Sequence, residues 1–351
     1  MYDCIVIGGG IAGLMSVREL FMAGMSVALV EKDRAGRACS WAGGGILSPL
    51  YPWREVPELT DLIRWGQDNY TIIADDLFSN TGIDPEWLAS GLMIYNVPDS
   101  AAALAWAEKS GVRIEQGDTG DSLWLPDVAQ IRNPRLLTAL ITYLVKAGVR
   151  LYENTEAVQI CIKNEQVTGI RTAMGEIRAG AVVVASGAWS KALVNDIQIK
   201  PLRGQMLCYR GDPGMTKKIL LNDDVYIIPR RDGHLLVGST VEDVGFDNST
   251  TSEAQTSLAA QAERILPGIN AYPLIHQWAG LRPATPTGCP YIGKYPGIKG
   301  LYLNTGHFRN GLLLAPGSAR LLVDIMSCRR SVIPDFVFMK QMASLNPPVP
   351  A

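Results

Sequence analysis

Residues 4–13, CIVIGGGIAG, constrain this chain more than any other stretch. A short run of apolar, β-branched residues reads as a buried strand. Gly8, Gly10 and Gly13 follow in the spacing G-x-G-x-x-G, and a helix then runs to about Ala23, where Gly24 stops it. SVALVEKD predicts a second strand ending at Glu31, eighteen residues past Gly13. Strand, glycine turn, helix, strand and acid together predict a βαβ unit that holds a dinucleotide. The glycines admit a pyrophosphate close to backbone N–H groups, and the acid meets a ribose hydroxyl.

Composition limits the partners. With 351 residues the chain has room for two domains. Its 32 Lys+Arg nearly balance 34 Asp+Glu, so no global field recruits nucleic acid or anionic lipid. Six cysteines show no C-x-x-C pair, and three histidines are scattered, which predicts no metal site and a reduced, cytoplasmic setting. The N-terminus reads as a strand rather than a signal peptide, and no charge-free apolar run is long enough to span a membrane.

The next segment separates flavin from nicotinamide. A plain nicotinamide fold goes on to another helix and strand, whereas residues 36–53, GRACSWAGGGILSPLYPW, are crowded with small residues. Such a run lets backbone lie against a flat or anionic ligand. Farther on, AVVVASGAWS reads as a buried strand returning to a small-residue turn at Ser186–Trp189. With these motifs in place, the chain resembles the D-amino-acid oxidase superfamily of FAD enzymes. SWAGGGILSPLYPW, RNPRLL, IPRRDGHLLVGST, WAGLRP, PYIG and GHFRNGLLLAP further resemble, in order, the bacterial glycine oxidases of thiamine biosynthesis. The resemblance covers nearly the whole chain, and other secondary-amine oxidases share the scaffold.

The elements between the motifs predict an α/β chain, α+β overall. Residues 59–78 and 100–111 have helical patterning, and 133–148 reads as a helix with Asn133 as N-cap, Pro134 in its first turn and Gly148 at its end. GLMIYNV, GQMLCYR, VYIIPR and HLLVGST read as strands, the last two joined across RDG as a hairpin. The expected architecture is a Rossmann-type, discontinuous FAD-binding domain (1–82, 131–200 and 282–351) carrying an antiparallel-sheet substrate domain (83–130 and 201–281). NPPVPA at the C-terminus reads as a disordered tail.

Arg282 is the pivotal candidate. No acidic residue lies within ten positions on either side, so its charge calls for an anion from elsewhere. The resemblance implies that Arg282 binds the substrate carboxylate, that Tyr226 donates to it, and that Arg309 touches substrate as well. It assigns FAD, held without a covalent bond, to Gly8, Gly10, Ile11, Ala12, Gly13, Glu31, Lys32, Ala38, Cys39, Gly44, Gly45, Ile46 and Ala157, and to His307, Phe308, Arg309, Asn310, Gly311, Leu312 and Leu313. Cys289 lies outside any attachment motif. Ile46 and Val241 match pocket-lining positions. Asp224, where the family often carries histidine, reads as a solvated acid, and His307 as a histidine engaged in local hydrogen bonds.

The implied reaction is hydride transfer from a neutral amine to the flavin, which requires no catalytic base. It yields an imine, then glyoxylate, with O2 as electron acceptor and hydrogen peroxide as its product. Glycine is the expected substrate, with a homotetramer as the family's assembly. Sarcosine, small D-amino acids or bulkier N-carboxymethyl amines remain alternatives, as does a dehydrogenase serving a quinone. A tRNA-modifying flavin module is disfavoured by the near-neutral charge, and an inactive flavin-binding protein stands last.

Overall fold

The computed structural model describes residues 1–345; the predicted C-terminal tail NPPVPA lies outside the described residues. Two eight-stranded sheets organise the chain. The first is built on the strand Tyr2–Ile7, which pairs in parallel with Val27–Val30 on one side and Gly175–Val184 on the other. Its order is 291–294, 301–305, 175–184, 2–7, 27–30, 150–152, and the hairpin of Ala157–Lys163 and Gln166–Thr172 joins the 175–184 strand. The central strands are apolar on both faces because the sheet is covered on both, which is why they read as continuous hydrophobic runs.

The helices Ile11–Met22, Thr60–Thr81, Asn133–Lys146 and Gly311–Met326 share one apolar cluster with this sheet. Three stop where the sequence supplies a left-handed glycine, at Gly24, Gly82 and Gly148. Asn133 departs from its expected role. It occupies the first helical turn and makes no capping bond; its amide donates instead to the Ser40 carbonyl at 2.8 Å. A loop far away in sequence outcompetes the helix end for this side chain.

The second sheet runs 274–284, 200–210, 234–238, 225–229, 219–222, 92–95, 123–125, 115–116. The RDG hairpin forms as expected, with Tyr226 opposite Gly238. Pairing is antiparallel except between Ile219–Asn222 and Leu92–Tyr95, which run in parallel. The Leu274–Ala284 strand continues past residue 281, pairing Arg282 with Leu202 and Ala284 with Lys200. Strand pairing therefore keeps Arg282 and Lys200 with the second sheet, whereas the expected boundaries placed both with the first. Hydrogen bonding on a long strand does not stop where a motif begins.

The Gly311–Met326 helix is pressed so closely against Thr60–Thr81 that a Cβ on Gly66 would sit 2.0 Å from the Leu313 carbonyl oxygen. Nearby, the buried Tyr70 hydroxyl donates to the Leu312 carbonyl at 2.5 Å. Gly66→Ala should therefore cost about 1–3 kcal/mol through overpacking, read as a lowered Tm. Gly120→Ala, where an added Cβ meets nothing within 4 Å, is the control and should leave Tm nearly unchanged.

Candidate active site

The glycine turn works through close approach. Gly8 has φ +111°, and a Cβ there would lie 2.5 Å from the Ala185 carbonyl oxygen. A Cβ on Gly13 would lie 1.9 Å from the Gly8 carbonyl oxygen, so only glycine lets the helix start against the strand. The Glu31 carboxylate accepts from the Gly9 N–H at 2.6 Å and the Asp33 N–H at 2.9 Å, which places an acid at the end of the second strand. Ser40 accepts from the Ile11 N–H at 2.9 Å and so ties the small-residue segment to the helix N-terminus.

That segment is pinned from the second sheet. Arg230, buried, donates to the Gly44 carbonyl at 2.7 Å, to Gln130 Oε1 at 2.6 Å and to the Ile131 carbonyl at 3.2 Å. Burial, and then the neighbouring Arg132 charge, lower its pKa to about 10, which still leaves it charged at neutral pH. Gly45 has φ +83°, and a Cβ there would strike the Ile131 carbonyl oxygen at 2.0 Å. Gly44 in turn packs on Tyr226 and Ile228.

Arg282 lies flat across Gly204, where a Cβ would come within 2.0 Å of its Nη1. Nη1 donates to the Thr240 carbonyl at 3.0 Å and Nη2 to the Ser239 hydroxyl at 2.6 Å. No carboxylate lies in salt-bridge range of Arg282 among the described residues. Its strand neighbour across the ladder shows the contrast: Arg203, next to Leu202, meets Glu242 at 2.5 Å and Asp247 at 2.6 Å. The Tyr226 hydroxyl has only a weak partner, the Met206 sulfur at 3.9 Å. Cys39 lies close enough to Arg282 to feel its charge, although burial dominates and raises the thiol pKa.

Polar contacts hold the cavity-lining residues Tyr51, Arg54, Arg309 and Asn310. Arg309 pairs with Asp224 at 3.3 Å, Asn310 donates to Glu55 at 2.6 Å, and the Tyr51 hydroxyl donates to the Asp223 carbonyl at 2.6 Å. Arg54 lies 4.1 Å above the Tyr51 ring and forms a two-pronged pair with Asp99, whose pKa it lowers to about 2. Burial pushes the Tyr51 phenol up to about 12. Asp224 is thus exposed but engaged as an ion-pair partner of Arg309.

One continuous cavity of about 860 Å³ brings these parts together. Its lining includes Gly8, Gly10, Ile11, Ala12, Glu31, Lys32, Ala38, Cys39, Gly44, Gly45, Ile46, Ala157, Tyr226, Arg282 and the stretch His307–Leu312. Gly13 and Leu313 are absent from it, against expectation, because Gly13 serves helix–strand packing and Leu313 faces the helix interface at 1% exposure. Val241 is also absent; it lies beyond the strand end and is 43% exposed. Ser40, Asn133, Met206, Ser239, Tyr51 and Arg54 line the cavity without having been anticipated. Ser40, Tyr51, Asn133, Ser239 and Met206 lie within segments already singled out, SWAGGGILSPLYPW, RNPRLL, IPRRDGHLLVGST and GQMLCYR, but nothing in those patterns marked these positions as facing the cavity. Cys289 does not line the cavity, and burial drives its thiol up to about 11.

His307 is 4% exposed, and its Nε2 has no hydrogen-bond partner, so the expectation of local satisfaction fails. Burial alone lowers its pKa to about 4 against 6.5 in the open chain. Between these values the unfolded chain binds the extra proton, so this stabilisation is full above pH 6.5 and is lost as pH falls toward 4. Comparing wild type with His307→Gln by denaturant unfolding, wild type should lose about 2 kcal/mol more between pH 7 and pH 4.5. Parallel losses in both proteins would show that the imidazole is not held neutral.

The donor set fits FAD on the structure's own terms. Gly8, Gly10, Gly44 and Gly45 line the cavity, an acid ends the second strand, and His307, whose Nε2 has no partner, lines the cavity as well. The chain matches the family model described as FAD dependent oxidoreductase, DAO, over residues 3–325. It is 43% identical to a glycine oxidase of Pseudomonas aeruginosa over 348 residues, covering 94% of this chain and 96% of that one. It is 30% identical to the bifunctional protein ThiO/ThiG of Synechocystis, over 99% of this chain and 55% of that one. The crystal structure of glycine oxidase from Geobacillus kaustophilus superposes with a TM-score of 0.91 at 26% identity, covering 96% of this chain and 97% of that one. The chain belongs to the DAO family of FAD-dependent oxidoreductases, among the glycine oxidases.

Proposed function

We propose that this protein oxidises glycine to glyoxylate and ammonia, consuming O2 and water and releasing hydrogen peroxide. The observation that carries the substrate assignment is Arg282, a cation in the FAD-site cavity with two neutral partners and no acid. A guanidinium has five N–H donors in a planar fork, and the two used here leave three for a carboxylate. Tyr226, whose phenol has only a sulfur for company, adds a fourth donor. Bound FAD supplies the two-electron acceptor, which O2 regenerates. The protein's part is orientation: the carboxylate clamp fixes the α-carbon.

His307 is kept neutral by burial, so it places no competing positive charge beside the amine. The amine reacts in its neutral form, and water hydrolyses the resulting imine. Thiazole assembly in thiamine biosynthesis is the destination that the glycine oxidase kinship supports. No described helix is long and apolar enough to cross a membrane, and all six cysteines are free, in keeping with a reduced cytoplasmic setting. A homotetramer, non-covalent FAD and the two-domain division into cofactor and substrate parts complete the reading. Its domain boundaries are best moved so that residues 200–210 and 274–284 stay in the substrate part.

Mixed anaerobically with glycine, the yellow holoenzyme should bleach and then recover with peroxide on admission of air. Arg282→Ala should retain FAD yet raise KM for glycine by roughly 30-fold or more, the cost of truncating one partner of a charged pair. Unchanged glycine kinetics in that variant would remove the carboxylate assignment. A wild-type enzyme bleached by a bulkier N-carboxymethyl amine but not by glycine would keep the chemistry and replace the substrate.

A further inference from the structure

Ser239 follows the His234–Gly238 strand and lines the same cavity as Arg282 and Tyr226. Its hydroxyl oxygen accepts from Arg282 Nη2 at 2.6 Å, and that is its only side-chain hydrogen bond among the described residues. A hydroxyl carries one proton to give and two lone pairs to receive. Here the oxygen is engaged by a cation while the proton has no protein acceptor. Accepting from a cation polarises the O–H bond and makes it a better donor. Ser239 is 9% exposed and lines the cavity, so its proton meets whatever occupies the cavity.

The geometry also sets what that proton meets. Tyr226 stands opposite Gly238 on the neighbouring strand, its ring 3.1 Å from where a Gly238 Cβ would be, so its position is adjacent to Ser239. Arg282 reaches the same spot from the other edge and lies flat on Gly204. The three donors thus line one cavity from neighbouring parts of the second sheet, and the Glu242 carboxylate is not free to intrude. It is bound by Arg203, Gln205 and Thr240.

We propose that Ser239 is a substrate-positioning residue, whose hydroxyl donates directly to the substrate carboxylate while accepting from Arg282. The role rests on the carboxylate reading of Arg282 and deepens it. The ligand class is a small carboxylate, one oxygen held by the guanidinium fork and the other shared by Tyr226 and Ser239. Ser239 thereby fixes the rotation of the carboxylate about its own axis, which the planar fork alone leaves less restricted.

The test titrates the holoenzyme with acetate, a carboxylate without an amine, and reads the change in the flavin visible spectrum. Ser239→Ala should weaken acetate binding by about tenfold, the loss of a hydrogen bond to a charged group. It should raise KM for glycine by a similar factor and lower kcat less, and Ser239→Thr should restore most of both. Direct donation is separated from mere bracing of Arg282 by a double-mutant cycle. In an Arg282→Lys background, Ser239→Ala should still weaken acetate severalfold. If the loss vanishes in that background, or if Ser239→Ala binds acetate as wild type does, the hydroxyl does not touch the carboxylate and the role is overturned. A wild-type spectrum that acetate leaves unchanged would overturn it too. If acetate binds as expected but glycine fails to bleach the flavin, the glycine reading falls, while the titration still supports the role of Ser239.

Discussion

The site depends on one cation that the fold leaves without a counter-ion. Arg282 and Arg203 lie close together on paired strands, yet they are treated oppositely. Arg203 is neutralised by two carboxylates, whereas Arg282 receives a carbonyl and a hydroxyl. Neutral acceptors satisfy the geometry of N–H groups without cancelling their charge. The guanidinium is held in place, and its field remains available to an anion entering the cavity. Gly204 is the structural condition for this, since any side chain there would lift the fork off the sheet.

Arg230 repeats the device three strands away, for a different purpose. It too meets only carbonyl and amide oxygens, and it remains charged despite full burial. Its acceptors belong to residues 44, 130 and 131, so a single side chain ties the glycine-rich segment to the second sheet. The ladder of contacts beside it, Ile131 to Gly45 and Leu47 to Ala129, converts a segment that composition describes as loose into a fixed wall. Backbone freedom at Gly45 is used once, to make a turn against the Ile131 carbonyl, and is then removed by packing.

Much of this was legible because local chemistry and tertiary structure agree. The Gly8–Gly13 turn, the helices ended by glycine and the RDG hairpin all have causes within a few residues of themselves. Arg282 was legible by subtraction, as a cation in a neutral neighbourhood. The rest depends on partners far apart in sequence. Asn133 belongs to Ser40, ninety-three positions away, rather than to its own helix. Gly13 and Leu313 sit in motifs that face the ligand, yet each is turned toward a packing contact that no spacing rule reveals. Val241 follows a strand whose last residue is Gly238, so alternation stops before reaching it and the side chain emerges into solvent. Ser239 carries no signal of its own in the sequence; its meaning comes from Arg282, forty-three positions later.

Selectivity follows from where these interactions act. A carboxylate clamp grips every small amino acid alike, and its contribution is present in the ground state as well as in the transition state. On the proposed carboxylate reading, affinity for the class resides in Arg282, Tyr226 and Ser239, while discrimination within it falls to whatever limits space beside the α-carbon. Among the residues that line the cavity, Met206 and Ile46 are apolar, and the Tyr51–Arg54 stack is held by Asp99 and the Asp223 carbonyl. Size exclusion by a hydrophobic wall separates neighbouring substrates by only about 1–3 kcal/mol per methylene. An enzyme built this way recognises its substrate class through charge and ranks the members of that class through steric fit.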